Sequence, residues 1–259
     1  MALWTEEALI LDAVDLQERD RIVTFLTRER GLKRGVASGA RRKYSRFAGQ
    51  LQPLAKARVT AFEKPGRDLV RLSSVEVMRS AGGLQVDLEG ILFSSYLAEH
   101  LTVFAQEGED SEHLFRLLDS TAEALLAGVE REAAVRYFEI WVLRLSGIFP
   151  SLDECAGCGR PLGTAGGSEA GGESCRLDAA AQAFTCASCG VAAGALQVPG
   201  AALEWLRRTR HSSAREIADA ATPAGVLGIV EEIAARMRRS FLQRELRSYS
   251  VMKRTLAEV

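Results

Sequence analysis

The sequence predicts an α+β protein in which a five-stranded N-terminal barrel precedes a helical domain with a cysteine-rich insertion. Residues 1–80 hold five short runs of strand character, and from residue 84 apolar residues recur at three- and four-residue steps. Two C-x-x-C pairs lie in a segment at about 150–198 that is rich in small residues and poor in large apolar ones. We therefore divide the chain into domains at 1–80 and 81–259.

The first domain is predicted from alternating apolar and polar residues. The five candidate strands read EALILDAVD, RIVTFLTRE, GLKRGVA, LAKARVTAFE and LVRLSSVEVM. The Pro-Gly turn KPGRD separates the last two, and SRFAGQLQP, between the third and fourth, predicts one or two helical turns. Five strands with a short helix after the third is the layout of an OB-fold. A five-stranded meander is the alternative.

The second domain is predicted to be a helical bundle. Its apolar residues follow a helical period in five segments: LQVDLEGILFSSYLAEHLTVFAQEG, SEHLFRLLDSTAEALLAG, EREAAVRYFEIWVLRLSG, GAALEWLRRTR and AGVLGIVEEIAARMRRSFLQRELRS. The insertion at about 150–198 interrupts this pattern after the third segment. Such a segment cannot fold on hydrophobic burial alone and needs a cross-link or a metal ion.

The insertion carries two C-x-x-C-G units, CAGCG and CASCG. Each unit presents two thiolates on one side of a tight loop, and two units complete a tetrahedral site. We predict one structural zinc ion, Zn2+, bound by Cys155, Cys158, Cys186 and Cys189. The alternatives are lost ligation or a redox pair, although a redox C-x-x-C normally opens a helix. CRLDAAAQAFT predicts a hairpin, on which Cys175 is either a small structural side chain or a substitute ligand.

The charge is unevenly distributed along a chain whose net charge is −1. Residues 1–80 carry +6, residues 81–198 carry −11 and residues 199–259 carry +4. The stretch GLKRGVASGARRKYSRFAGQLQP, residues 31–53, has six basic residues and no acidic one. Such an asymmetry indicates a region that binds a polyanion.

This basic stretch predicts a nucleic-acid site. On an OB-fold, the face around the second and third strands and the adjoining loops bind oligonucleotides, and single strands need cations along the phosphates and aromatic rings under the bases. The candidates are Lys33, Arg34, Arg41, Arg42, Lys43, Tyr44, Arg46 and Phe47. A solvated surface loop is the alternative.

Several function classes have no motif in this sequence. It contains no P-loop, no Rossmann G-x-G-x-x-G after a strand, and only three scattered histidines, so we predict that the protein is not an enzyme and has no small-molecule substrate. It also lacks an apolar run near the roughly 20 residues of a membrane span and the basic start of a signal peptide. We therefore expect a cytoplasmic protein that does not enter membranes.

The combination of these motifs resembles the bacterial RecO family of recombination mediators. The similarity rests on GLKRGVASGARRKYSRFAGQLQPL, the paired CAGCG and CASCG, LRLSGIFPSLDEC before the first pair, and RELRSYSVM near the end. It covers essentially the whole chain. The Gly-rich spacer between the cysteine pairs and its extra Cys175 depart from the family pattern.

The resemblance implies a function and partners. A RecO-like protein is expected to bind single- and double-stranded DNA, anneal complementary strands, engage single-stranded-DNA-binding protein and, with RecR, help load RecA, next to the nucleoid. The acidic C-terminal tail of single-stranded-DNA-binding protein would suit a basic pocket. The candidates for such a partner contact or a secondary DNA contact are Arg207, Arg208, Arg210, Arg238 and Arg239. A protein–protein adaptor, docked through the acidic middle segment, and an RNA-binding zinc-ribbon protein are the alternatives.

Overall fold

The structure is a computed structural model that describes residues 2–105, 111–163, 174–189 and 194–258. Residues 164–173 of the Gly-rich spacer lie outside these residues. The chain forms two compact units, residues 1–127 together with 246–259, and residues 128–245. The units divide the chain at other positions than the predicted domains 1–80 and 81–259, and that division stays a prediction.

The first unit contains a closed five-stranded barrel. Its strands are β1 (Ala2–Leu16), β2 (Asp20–Thr27), β3 (Leu32–Ala37), β4 (Lys56–Glu63) and β5 (Leu69–Arg79). They are ordered β1-β2-β3-β5-β4, β4 returns to pair with β1, and only β3 and β5 run parallel. This order is the topology of an OB-fold, so the predicted fold class is confirmed.

Alternation of side chains builds the barrel. Along β4, Ala57, Val59 and Ala61 are fully buried, whereas Arg58 between them is exposed, as expected for a strand with one face in a core. Gly35 lies where β3 meets β5, and a Cβ atom there would come within 2.8 Å of Cδ2 of Leu72. The barrel therefore closes at a position where a side chain would not fit.

The connection between β3 and β4 contains no helix, so the predicted short helix is wrong. Residues 38–55 form consecutive turns, in which backbone N–H groups donate to carbonyls three residues earlier, as in Arg42 to Gly39 and Ser45 to Arg42. Gly39 and Gly49 adopt φ of +76° and +72°. Left-handed residues at these points interrupt the repeating geometry that a helix requires.

The described part of the first unit also contains the α-helices α1 (Leu88–Phe104), α2 (Glu112–Leu126) and α7 (Arg247–Ala257). The Asp87 side chain caps α1 by accepting from the Gly90 N–H at 2.7 Å. The Glu99 carboxylate on α1 accepts from the backbone N–H groups of Arg247 and Ser248, at 3.1 and 2.7 Å. It therefore satisfies the first amides of α7 and attaches the last helix to the first unit.

The second unit contains α3 (Arg131–Leu145), α4 (Gly200–Arg208), α5 (Ala214–Asp219) and α6 (Val226–Leu242), with the strands β6 (Cys175–Asp178), β7 (Ala183–Cys186) and β8 (Leu196–Val198). β6 and β7 form the predicted hairpin, and β8 pairs with the other edge of β6.

Two features of the helical pattern differ from the prediction. The single helix expected over residues 224–248 is wrong, because α6 ends at Leu242, the next residue Gln243 adopts φ of +56°, and α7 begins anew at Arg247. The short helix α5 was not predicted. It begins with a capping box in which Ser213 and Glu216 satisfy each other's backbone amides. No helix in the described part of the chain is long and apolar enough to cross a membrane.

Candidate metal centre and nucleic-acid interface

The structure brings the four predicted cysteine ligands together in the second unit. The sulfur atoms of Cys155, Cys158, Cys186 and Cys189 all lie within 4.8 Å of one another. The Sγ–Sγ distances are 3.6 Å for Cys155–Cys189 and for Cys186–Cys189, and 3.9 Å for Cys158–Cys186. Four thiolates 2.3 Å from a central zinc ion would be separated by about 3.8 Å. The cluster can therefore hold a tetrahedral metal ion.

Backbone contacts shape the first knuckle, residues 155–159. The Cys155 N–H donates to the Arg160 carbonyl at 2.8 Å, and the Ala156 N–H donates to the carbonyl of Phe184 on β7 at 2.9 Å. Gly157 lies against the second knuckle, residues 186–189, where a Cβ atom would come within 3.1 Å of Cys189 Sγ. A side chain at position 157 would therefore crowd the thiol of Cys189.

Hydrogen bonds shift the pKa values of Cys155, Cys158 and Cys189. The backbone N–H of Cys186, 3.2 Å from Cys155 Sγ, is the main cause that lowers the pKa of Cys155 to about 6. The Arg160 guanidinium, 3.4 Å from Cys158 Sγ, lowers the pKa of Cys158. Hydrogen bonds with Cys158 and the other thiols raise the pKa of Cys189 to about 12. The cluster therefore combines two thiols whose pKa is lowered with one thiol, Cys189, that must lose its proton to bind metal.

Cys175 lies outside the four-thiol cluster. It is buried on β6, opposite Cys186 of β7 in the register of the hairpin. Burial raises the pKa of its thiol to about 11. Its position fits a structural side chain of the hairpin better than a metal ligand.

Two arginines predicted as partner contacts instead bind the segment around the first knuckle. Arg207 on α4 donates to the carbonyls of Leu152 and Leu162, at 2.8 and 2.5 Å. Arg210 forms an ion pair with Asp153 at 2.7 Å and lowers the pKa of that carboxyl. Both guanidinium groups are thus engaged within the unit.

The remaining arginines of that predicted set differ in exposure. Arg208 is exposed. Arg238 is fully buried and forms an ion pair with Glu245 at 2.6 Å, so its prediction as a surface contact is corrected to a structural role. Arg239 leaves 51% of its side chain exposed and lies 3.8 Å from the same glutamate.

The basic stretch after β3 presents several exposed cations in the first unit. Arg34 on β3 and, in the loop, Arg42, Lys43 and Arg46 are exposed. Lys33 is different, since it pairs with Glu63 at 3.0 Å, and this hydrogen bond is the main cause that lowers the pKa of the glutamate.

Arg41 anchors the loop to the turn between β1 and β2. Its guanidinium donates to the carbonyl of Gln17 at 2.9 Å and lies 3.3 Å from Asp15. The Gly39 N–H adds a bond to Asp20 at 2.8 Å. These contacts hold the loop against the barrel and leave its other cations in solvent.

The two aromatic residues of the stretch have opposite environments. Tyr44 is 89% exposed, with Lys43 Nζ 5.7 Å from the ring centroid. Phe47 is only 2% exposed, and the Arg46 guanidinium covers its ring at 4.9 Å. The prediction that Phe47 offers a face to a base is therefore corrected, because its ring belongs to the core that anchors the loop.

A groove of about 540 Å³ opens beside this loop, between β3 and the β4–β5 turn. Its lining includes Val36 and Ser38 on one side and Arg67, Leu69 and Arg71 on the other. Arg67 and Arg71 are exposed, and the sequence prediction missed both. Their signals were the KPGRD turn itself and the outward position of Arg71 in the alternating pattern of β5.

Comparison with known proteins agrees with this architecture. The family model described as Recombination protein O N terminal matches residues 1–81, and the one described as Recombination protein O C terminal matches residues 85–250. The chain is 40% identical over 181 residues to the DNA repair protein RecO of Anaeromyxobacter sp. (strain K), which covers 70% of this chain and 68% of that relative.

Two further relatives are similar over more of the chain. The DNA repair protein RecO of Myxococcus xanthus (strain DK1622) is 35% identical over 214 residues, 82% of this chain and 84% of the relative. That of Desulforudis audaxviator (strain MP104C) is 34% identical over 229 residues, 85% and 89% of the two chains. The resemblance drawn from the sequence motifs is confirmed, and the chain belongs to the RecO family of DNA repair proteins.

Proposed function

We propose that this chain is a non-catalytic recombination mediator. It binds single- and double-stranded DNA, anneals complementary strands and, with RecR, assists RecA loading on DNA coated by single-stranded-DNA-binding protein, next to the nucleoid in the cytoplasm. Membership of the RecO family supports the role in DNA repair. The observation that carries the proposal is the anchored loop after β3, which presents exposed cations and begins at Ser38 in a groove lined by Arg67 and Arg71.

Binding of this kind is dominated by phosphate contacts. The exposed cations of the loop, β3 and the groove are Arg34, Arg42, Lys43, Arg46, Arg67 and Arg71. If each neutralised one phosphate of a single strand, the logarithm of the binding constant would fall with the logarithm of salt concentration with a slope of about −4. Contacts to phosphates carry no sequence information, so the protein should bind with little sequence preference.

The cysteine cluster is proposed to hold one zinc ion with a structural role. Four thiolates would fill a tetrahedral coordination sphere and leave no open position for a substrate or an activated water. The ion would join the knuckles at residues 155–159 and 186–189, in a segment with few large apolar residues. Its contribution is thus to fold the insertion.

The loop is tested by neutralising two of its exposed cations. Arg42→Gln with Arg46→Gln should make the single-strand salt slope less steep by about 1.4, because each lost phosphate contact removes about 0.7. The matched control is Arg58→Gln, an exposed barrel arginine on β4 whose cross-strand neighbours are Glu7 and Glu76. Equal slopes for the double variant and the wild type would move the DNA site elsewhere.

The proposed partners are tested by annealing. Complementary oligonucleotides coated with single-stranded-DNA-binding protein should anneal faster when the chain is added, and RecA should load faster when RecR is also present. Failure to anneal, with binding of bare oligonucleotides intact, would reduce the function to DNA binding. Tighter binding of single-stranded RNA than of DNA in a competition assay would favour the RNA-binding alternative.

A further inference from the structure

Tyr44 is an unusual residue for a protein surface. Its side chain exposes 89% of its area, although the aromatic ring is large and apolar. Three exposed cations, Arg42, Lys43 and Arg46, lie within two residues of it. An aromatic ring surrounded by cations combines the two requirements of a single-strand contact, a stacking face and charges for the flanking phosphates.

The loop that carries Tyr44 is fixed on both sides of the ring. Before it, Arg41 and Gly39 bond to the turn between β1 and β2 and to Asp20. After it, Phe47 is 2% exposed and inserts into the core. The backbone is therefore held from both directions, which lowers the entropy lost when a ligand immobilises the ring.

We propose that Tyr44 makes this surface prefer unpaired over paired DNA by stacking on a single unpaired nucleobase. This inference rests on the proposed function, since it assigns a role within the same DNA site. Lys43 Nζ lies 5.7 Å from the ring centroid, and a cation on one face leaves the other face for the base. Every base offers a π-face, so the contact selects the state of the strand and not its sequence.

The preference has a consequence for strand annealing. In a duplex both faces of an internal base stack on neighbouring bases, so Tyr44 has no free face to contact. The cations bind phosphates of single strands and duplexes alike. Once two strands pair, the stacking contact is lost while the phosphate contacts remain, so Tyr44 strengthens binding of the unpaired strand and adds nothing to binding of the duplex product.

The test combines variants of the ring with variants of the DNA. Tyr44→Ala should bind a single-stranded oligonucleotide roughly 5- to 150-fold more weakly, the range expected for loss of one stacked base. Tyr44→Phe should keep the affinity, because the ring remains. Neither variant should change the salt slope or the affinity for a blunt duplex. Val86→Ala, which truncates another exposed apolar side chain of the unit, serves as the matched control.

An oligonucleotide with abasic sites identifies the contact directly. Wild type should lose on abasic DNA about the factor that Tyr44→Ala loses on intact DNA, and Tyr44→Ala should lose little more on abasic DNA. The inference is overturned if Tyr44→Ala loses as much affinity for duplexes as for single strands. It is also overturned if removal of the ring and removal of the bases each lower the affinity by a separate factor that multiplies in the combination. Either result leaves the DNA-binding function intact. If wild type binds neither form of DNA, the proposed function itself fails.

Discussion

Replacing Phe47 by alanine should destabilise the barrel unit by about 3 to 5 kcal/mol, the usual cost of truncating a buried phenylalanine. The ring is 2% exposed, so nearly all of its surface is removed from water. Burial of a phenylalanine removes about 150 Å² or more, which at about 25 cal/mol per Å² gives roughly 4 kcal/mol. The Arg46 guanidinium, 4.9 Å from the ring centroid, adds about 0.5 to 1 kcal/mol.

Amide hydrogen exchange of β2 and β3 measures this loss in the barrel alone, without unfolding the second unit. Phe47→Leu is the matched variant, since it keeps most of the volume and should cost less than about 1.5 kcal/mol. It should also retain single-strand affinity, because the Phe47 ring faces the core. An unchanged exchange rate in Phe47→Ala, or a loss of DNA affinity in a folded Phe47→Leu equal to that of Tyr44→Ala, would refute the reasoning.

Four further predictions concern the metal centre and the helices. Purified, reduced protein should contain about one equivalent of zinc, and a chelator should speed proteolysis of residues 150–198 but spare the barrel. Metal affinity, measured by chelator competition, should rise at least about tenfold per pH unit from pH 7 to 9, because Cys189, whose pKa is about 12, must release its proton; a flat profile would contradict this. Arg207→Met should raise hydrogen exchange in the first knuckle, and Glu99→Gln should raise it in α7 only. Unchanged exchange in either variant would remove the role assigned to that side chain.

The sequence predicted the features that depend on local patterns. Alternation of apolar and polar residues along segments such as KARVTAFE predicts a strand with one buried face, and this prediction does not depend on the strands that pair with it. The C-x-x-C spacing likewise places two thiols on one side of a turn, and two such pairs are typical of a metal site. For these reasons the barrel strands, the hairpin and the four-cysteine cluster were found without tertiary information.

Features that depend on distant partners were missed or misplaced. The sequence does not distinguish a basic residue of a helix that is exposed to solvent from one that pairs with a carboxylate inside the protein. Arg238 is of the second kind, since it forms an ion pair with Glu245. An aromatic residue in a basic loop is predicted to stack on bases, but the sequence does not show whether its ring is exposed. The ring of Phe47 is buried in the core. The end of α6 was missed because nothing local marks Gln243 for a left-handed conformation, which is set by the route of the chain into α7.

The return of α7 to the first unit has a consequence for how the protein is made. The chain leaves this unit at residue 127 and re-enters it at residue 246. At about 5 to 20 residues per second, synthesis of the intervening part takes roughly 6 to 24 s. Throughout this interval the nascent barrel unit lacks α7. The Glu99 carboxylate then has no Ser248 N–H to accept from, and the Tyr96 ring lacks Tyr249, whose ring centroid lies 5.6 Å away in the complete chain. The barrel unit is therefore begun first on the ribosome and completed last.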